Sequence, residues 1–372
     1  MAAVGGRRLQ GALALLALLT GLVGCAGGRA AAPPPDPAGP YAVGIRRIAF
    51  DGTVAEVWYP ASPAAEARAR AAGAHPAAYD IRDWLPASVA ATVARGRFRF
   101  GTDAFVDLPV AGPPIGRAAE ANGGFPLVLF AHGLYSFPDQ SSELTTWLAS
   151  WGYVVAAPDL PIHDLAAYFD YTAKGIPLPA GPSDVQILAA TVRTMTTEDT
   201  LAGGPFQGRI GTSRIAVMGH SQGGIDAMAF ASAPGVATYI ALAAGFAAPH
   251  PPLPPVPSLY IAGRDDHDIP LDLVEQVYAT AAAPKRLLVL PGAGHLAFTD
   301  LCLIGAGYGG LSALGAEISA RLPPGAPFTA RALDGCGPSY APPAASTARV
   351  RAAVLAQLRR WLPAPAPAPA PG

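Results

Sequence analysis

Ser221 lies in Gly219-His220-Ser221-Gln222-Gly223-Gly224, directly after the strand-forming run Arg214-Ile215-Ala216-Val217-Met218. A serine hydroxyl is a poor nucleophile unless the backbone presents it sharply and a base stands beside it. A G-x-S-x-G turn between a strand and a helix meets the first need. Its glycines allow a tight turn close to the next helix, and the serine oxygen is exposed at the top. The backbone N–H of Gln222, at the start of the Ala-rich stretch Ile225 to Ser232, is then free to stabilise an oxyanion.

In this strand–turn–helix setting the partners follow the serine in the order acid, then histidine. Of the seven histidines, only His250, His267 and His295 follow the serine, and the base is taken from these. His75 and His163 lie upstream, His75 in an Ala-rich, helix-like stretch. His132 precedes a glycine after a strand and is suited to shaping a loop. His220 adjoins the serine, so its side chain is expected to point away from it. His250 sits in the connector Ala248-Pro249-His250-Pro251-Pro252. His295 follows the apolar run Arg286-Leu287-Leu288-Val289-Leu290 and the loop Pro291-Gly292-Ala293-Gly294, which puts it at the C-terminal edge of a parallel sheet.

The acid should end the strand between the two. Ser258-Leu259-Tyr260-Ile261-Ala262 runs into Gly263-Arg264-Asp265-Asp266-His267-Asp268-Ile269-Pro270. The G-x-x-D pattern closed by proline favours Asp266 as the group that orients the His295 ring, with Asp265 as the alternative. The same cluster can be read as a metal site, but adjacent loop residues rarely converge on one ion, so no metal is assigned. A second oxyanion donor is expected from Leu134, because Leu127-Val128-Leu129-Phe130-Ala131 is a continuous apolar strand that runs into His132-Gly133-Leu134.

The elements that must carry these residues alternate along the chain. Ala42 to Phe50 and Val54 to Tyr59 flank Asp51-Gly52 as a hairpin. Strands recur near Leu127, Tyr153, Ile215, Thr238, Leu259 and Leu287, with room for helices between them. That pattern implies a mostly parallel sheet with helices on both faces. Ser346 to Leu362 repeats Val350, Val354, Leu358 and Leu362 as an amphipathic helix, its arginines turned to water. Two insertions, Leu160 to Pro182 with Tyr168, Phe169 and Tyr171, and the Cys302 to Cys336 loop, emerge at the catalytic edge and should shape an apolar pocket. Ala72 to Thr92 is a further covering segment without an evident place.

On these residues the chain resembles the α/β-hydrolases, in the group with dienelactone hydrolase-like, platelet-activating-factor acetylhydrolase-like and polyester hydrolase-like proteins. The matching pieces are Val57-Trp58-Tyr59-Pro60, His132-Gly133-Leu134, Ser150-Trp151-Gly152-Tyr153 through Pro158-Asp159, the Ser221 turn, the Gly263 to Pro270 loop and Gly294-His295. The resemblance implies an α/β-hydrolase fold with inserted loops over the active-site edge. It also implies ester hydrolysis through an acyl-serine intermediate, without a cofactor. Serine replaces the cysteine of the dienelactone hydrolases proper, which puts dienelactone in doubt as the substrate.

The N-terminus carries an address. Arg7 and Arg8 precede the apolar stretch Leu9 to Leu19 and then Leu22-Val23-Gly24-Cys25. The stretch is shorter than the roughly 20 residues of a membrane span, so it reads as a signal peptide. Leu-Val-Gly-Cys resembles a bacterial lipobox, in which Cys25 is lipidated and becomes the first mature residue; an ordinary secretory signal, giving a secreted protein, is the alternative. Residues 26–42 form a Pro-rich spacer, 43–362 the catalytic domain and 363–372 a disordered Pro/Ala tail. Of three cysteines, Cys302 and Cys336 remain, and an oxidising compartment favours a disulfide between them over two buried thiols. A formal net charge of −1 without a basic cluster argues against nucleic acid as a partner.

The expectation is therefore an exported, lipid-anchored serine esterase acting on a small-molecule or lipid ester, of undetermined oligomeric state. The rival expectations are an acyltransferase or thioesterase using the same site, and a surface lipoprotein that keeps the fold without activity.

Overall fold

The computed structural model describes residues 37–112, 124–175, 177, 180–319 and 333–365. The expected signal segment, Cys25, most of the spacer and residues 366–372 of the tail lie outside the described residues.

The first elements form where the hairpin was expected. β1 (Ala42–Phe50) and β2 (Thr53–Ala61) pair antiparallel, with Phe50 opposite Thr53. Asp51 and Gly52 both have positive φ, 44° and 81°, the pairing that matches the twist of a two-residue hairpin. The end of the spacer is already bound to the body: the Gly39 N–H donates to Ser150 Oγ and the Tyr41 N–H to the Ser150 carbonyl.

After α1 (Pro63–Ala71) come three three-residue strands, β3 (Ala78–Asp80), β4 (Arg99–Gly101) and β5 (Ala104–Val106), with the short helix α2 (Ala87–Ala90) between the first two. β3 and β4 make a separate ribbon, and β5 extends the main sheet beside β1. His75 lies in the coil after α1, because Gly73 ends the helix with φ 86°.

The remaining strands are β6 (Phe125–Ala131), β7 (Val154–Pro158), β8 (Ile210–His220), β9 (Val236–Leu242), β10 (Ser258–Gly263) and β11 (Lys285–Leu290). The main sheet runs β11-β10-β9-β8-β6-β7-β2-β1-β5. From β7 to β11 all neighbours are parallel, and β2 joins β7 antiparallel. Every residue of β6 is buried, as the unbroken apolar run Phe125 to Ala131 requires of a strand covered on both faces.

Two apolar cores follow from that double burial. One face packs Leu127, Leu129 and Val217 against α5 (Asp184–Thr200), α6 (Gln222–Phe230) and α7 (Leu271–Thr280). The other packs Val128, Phe130 and Met218 against α3 (Ser142–Ser150) and α9 (Pro343–Trp361). In α9, Val350, Val354 and Leu358 are buried as the spacing predicted. Its arginines are not simply solvated: Arg351 donates to the Glu143 carbonyl and Arg359 lies over the Trp151 ring.

A third core stands apart over the C-terminal edge of the sheet. It joins Tyr79, Trp84 and Phe98 of the early segment to Phe169 of α4 (Leu165–Lys174), and to Leu311 and Leu314 of α8 (Gly310–Ser319). The chain reverses direction across the sheet between β6 and β8, and such a switch point opens a crevice at the strand ends.

Candidate active site

Ser221 is the hinge between β8 and α6. Its φ of 55° and ψ of −122° place an ordinary L residue in a sparsely populated region, which costs about 1–3 kcal/mol and needs the surroundings to hold it. The Ser221 N–H donates to the Leu242 carbonyl of β9, and the Ser221 carbonyl receives the N–H of Gly224. Glycine at 223 is obligatory, since a Cβ there would stand 2.2 Å from the Ala131 carbonyl oxygen and 2.4 Å from that of His132. The chain thus turns against the end of β6, where the other candidate donor is.

Two backbone N–H groups stay open beside this turn. Among the described residues, neither the N–H of Leu134 nor that of Gln222 is given to a protein acceptor. Their neighbours are all spoken for. The Gly133 N–H donates to Gln140 Oε1, the Tyr135 N–H to the His163 carbonyl and the Ser136 N–H to the Gly133 carbonyl. His132 is wholly buried: its Nε2 accepts the Leu160 N–H and its Nδ1 donates to the Gly133 carbonyl, which shapes the loop as expected.

His295 and Asp266 meet at the strand ends of β11 and β10. His295 Nδ1 and Asp266 Oδ2 are 2.9 Å apart, and both side chains are buried. The second oxygen of Asp266 accepts the N–H groups of Asp268 and Ile269, so the carboxylate is aimed by its own loop. Asp265 is exposed. Of the two carboxylates the sequence left open, only Asp266 touches His295.

Three residues that sequence reasoning passed over support this arrangement. The His220 ring does not simply turn away from the site; it lines the same cavity, lies 4.7 Å from the His295 ring at a 47° tilt and donates from Nε2 to the His295 carbonyl. Burial, then the nearby His295, holds its pKa well below the usual histidine range, so the ring stays neutral. Gln140 accepts from Gly133 through its side chain and from Asp300 through its carbonyl, tying the loop after β6 to the loop after His295.

Asp334, next to the disulfide between Cys302 and Cys336, receives the His267 N–H at Oδ2 and the Tyr340 hydroxyl at Oδ1. Its carbonyl accepts the Leu296 N–H. Although burial acts to raise its pKa, these hydrogen bonds outweigh it and leave the carboxyl below the usual range.

Ser221, His295 and Leu134 line one cavity of about 510 Å³. Its walls come from all three covering segments. Ile81 and Leu85 come from the segment that had no evident place, Tyr168 and Phe169 from α4, and Leu311 and Leu314 from α8. Tyr171 is half exposed and lies outside the lining. The lining is mostly apolar, and Ser136, Gln140 and Asp268 add polar groups to those of Ser221, His220 and His295.

The chlorophyllase family profile matches residues 109–248, which takes in the β6 loop and the Ser221 turn but stops before Asp266 and His295. No curated protein sequence matches the chain significantly. Among solved structures, the ferulic acid esterase from Streptomyces cinnamoneus superposes with a TM-score of 0.54 at 22% identity, over 90% of this chain and 93% of that one. With the sheet order and the turn at Ser221, these likenesses make the chain an α/β-hydrolase by fold.

Proposed function

We propose that the protein is a serine esterase that cleaves carboxylic esters through an acyl-serine intermediate. Ser221 Oγ attacks the ester carbonyl, and His295 takes the proton and returns it to the departing alcohol. Asp266 fixes the His295 tautomer and stabilises its charged form, and the N–H groups of Leu134 and Gln222 bind the oxyanion. Water then repeats the sequence on the acyl-enzyme. The observation that carries this reading is the 2.9 Å pair of Asp266 with His295, whose ring lines the cavity where Ser221 is held at positive φ.

Esterases among the relatives support ester hydrolysis as the reaction class. The apolar walls favour an apolar acyl or alcohol group. The Cys302–Cys336 disulfide fits an oxidising compartment, and among the described residues no helix is long and apolar enough to cross a membrane. The disulfide fits export of the chain, and in this reading Cys25 is the lipid-bearing residue that holds it at the cell envelope.

Hydrolysis of p-nitrophenyl esters from acetate to palmitate, by the mature domain and its Ser221→Ala variant, tests the reading. Turnover should fall by about four to six powers of ten in the variant, as loss of such a nucleophile does. Equal turnover by both proteins removes Ser221 from the mechanism. Lipidation is checked separately by labelling cells with an alkyne fatty acid, which should mark the full chain and leave Cys25→Ser unmarked.

A further inference from the structure

Below the open edge of the sheet, three buried side chains from separate segments converge. His163 lies in the loop after β7, Asp184 opens α5, and Asp226 is one turn into α6. One ring nitrogen of His163 and one oxygen from each carboxylate lie within 4.8 Å of one another. Each residue is more than nine-tenths buried.

Their mutual contacts do not satisfy them. His163 Nδ1 and Asp184 Oδ2 pair at 3.1 Å, and Asp226 Oδ1 accepts from Gln222 Nε2. That leaves His163 Nε2, Asp184 Oδ1 and Asp226 Oδ2 buried with no hydrogen-bond partner. Unpaired polar atoms and carboxylates in a dry site are unfavourable unless something compensates them. Among the described residues no lysine or arginine pairs with Asp184 or Asp226. The His132 ring lies 5.7 Å from the His163 ring.

We propose that His163, Asp184 and Asp226 form a binding site for one divalent transition-metal ion of the zinc type. An imidazole nitrogen with two carboxylate oxygens suits zinc better than calcium or magnesium, which favour all-oxygen shells. Ligand atoms about 2.1 Å from a tetrahedral ion lie roughly 3.4 Å apart, so closing the site needs shifts of no more than about 1.4 Å. A water completes the shell.

The ion is a pin rather than a reagent. Asp226 holds Gln222 one turn back on α6, and the His163 carbonyl receives the Tyr135 N–H from the loop after β6. The bound ion therefore ties the start of α6 to the loop that carries Leu134. None of this depends on the esterase reading.

The test uses the full mature chain stripped with a chelator. Zn2+ is titrated by calorimetry, metal content is measured by mass spectrometry, and the melting point is followed. One equivalent of zinc per chain is expected, with a melting point raised by about 5 °C at a hundredfold excess over Kd. Asp184→Asn and Asp226→Asn should each weaken binding at least tenfold while melting within a few degrees of the stripped parent. His163→Gln serves as a third variant should either aspartate change fail to fold. Absence of a stoichiometric zinc, or zinc retained at the parent's affinity in the folded variants, overturns the proposal. Equal displacement by millimolar calcium and magnesium overturns the assignment to a transition metal.

Discussion

At the scale of single residues, the division of labour between neighbouring carboxylates is the sharpest expectation. Asp266 is buried against His295 with its other oxygen fixed by two backbone N–H groups, whereas Asp265 faces water. In its proposed role, Asp266→Asn should lower kcat by about four powers of ten, because the amide selects the wrong imidazole tautomer. Asp265→Asn should stay within a factor of about three, the range of an ordinary surface change. Steady-state kinetics on one p-nitrophenyl ester decide it, and equal losses in both variants would discard the assignment. The local parts were legible because each is written in consecutive residues: the Ser221 turn, the His132-Gly133-Leu134 loop, the Asp266 loop. The contributions of His220, Gln140 and Asp334 were not, since they arise from contacts across 75, 7 and 67 positions that no local pattern encodes.

Elements tell a similar story with a different cause of failure. The parallel strands stood out as short apolar runs, unbroken where both faces are buried as in β6, and the hairpin stood out by its Asp51-Gly52 turn. Three-residue strands such as β3, β4 and β5 are too short to show a period of two, so the segment around Ala72 to Thr92 had no place in the sequence reading. That segment supplies Ile81 and Leu85 to the cavity. The loop from Cys302 to Cys336 carries a prediction of its own. Its disulfide closes a sequence separation of 34 and holds Asp334 against the loops of both His267 and Leu296. Replacing both cysteines by serine should cost about 2–4 kcal/mol and lower the melting point by several degrees. Scanning calorimetry of the double variant measures this directly; an unchanged transition would show that the covering loop melts independently of the sheet.

For the whole molecule, buried acids set how stability responds to pH. Asp300 accepts the Ser142 hydroxyl and the Glu143 N–H in the interior, and burial, with Glu143 adding to it, pushes its pKa up to about 8. Asp139, beside the Trp84 indole, is also raised well above the carboxylate range by burial. The unfolded chain gives up the Asp300 proton near pH 4, while the folded chain keeps it up to about 8. Between those values the native state binds more protons, so stability falls as pH rises, by at most about 1.4 kcal/mol per pH unit from this group. Asp300→Asn should flatten the decline of melting point from pH 4 to 8. Parallel curves for the two proteins would show that Asp300 does not govern it.

The third apolar cluster has a practical reach. The sheet rests on two cores of its own, and the roof over the cavity on another built from Tyr79, Trp84, Phe169, Leu311 and Leu314. Leu296, beside His295, also belongs to that roof cluster, and Asp334 ties the covering loop to Leu296, so the roof is not a separate unit. Residues farther along it, such as Leu85 and Leu314, can be exchanged while the strands that hold Ser221, Asp266 and His295 keep their register. Substrate range and scaffold integrity are then free to diverge at different rates, and a directed-evolution library confined to these positions explores the first without taxing the second.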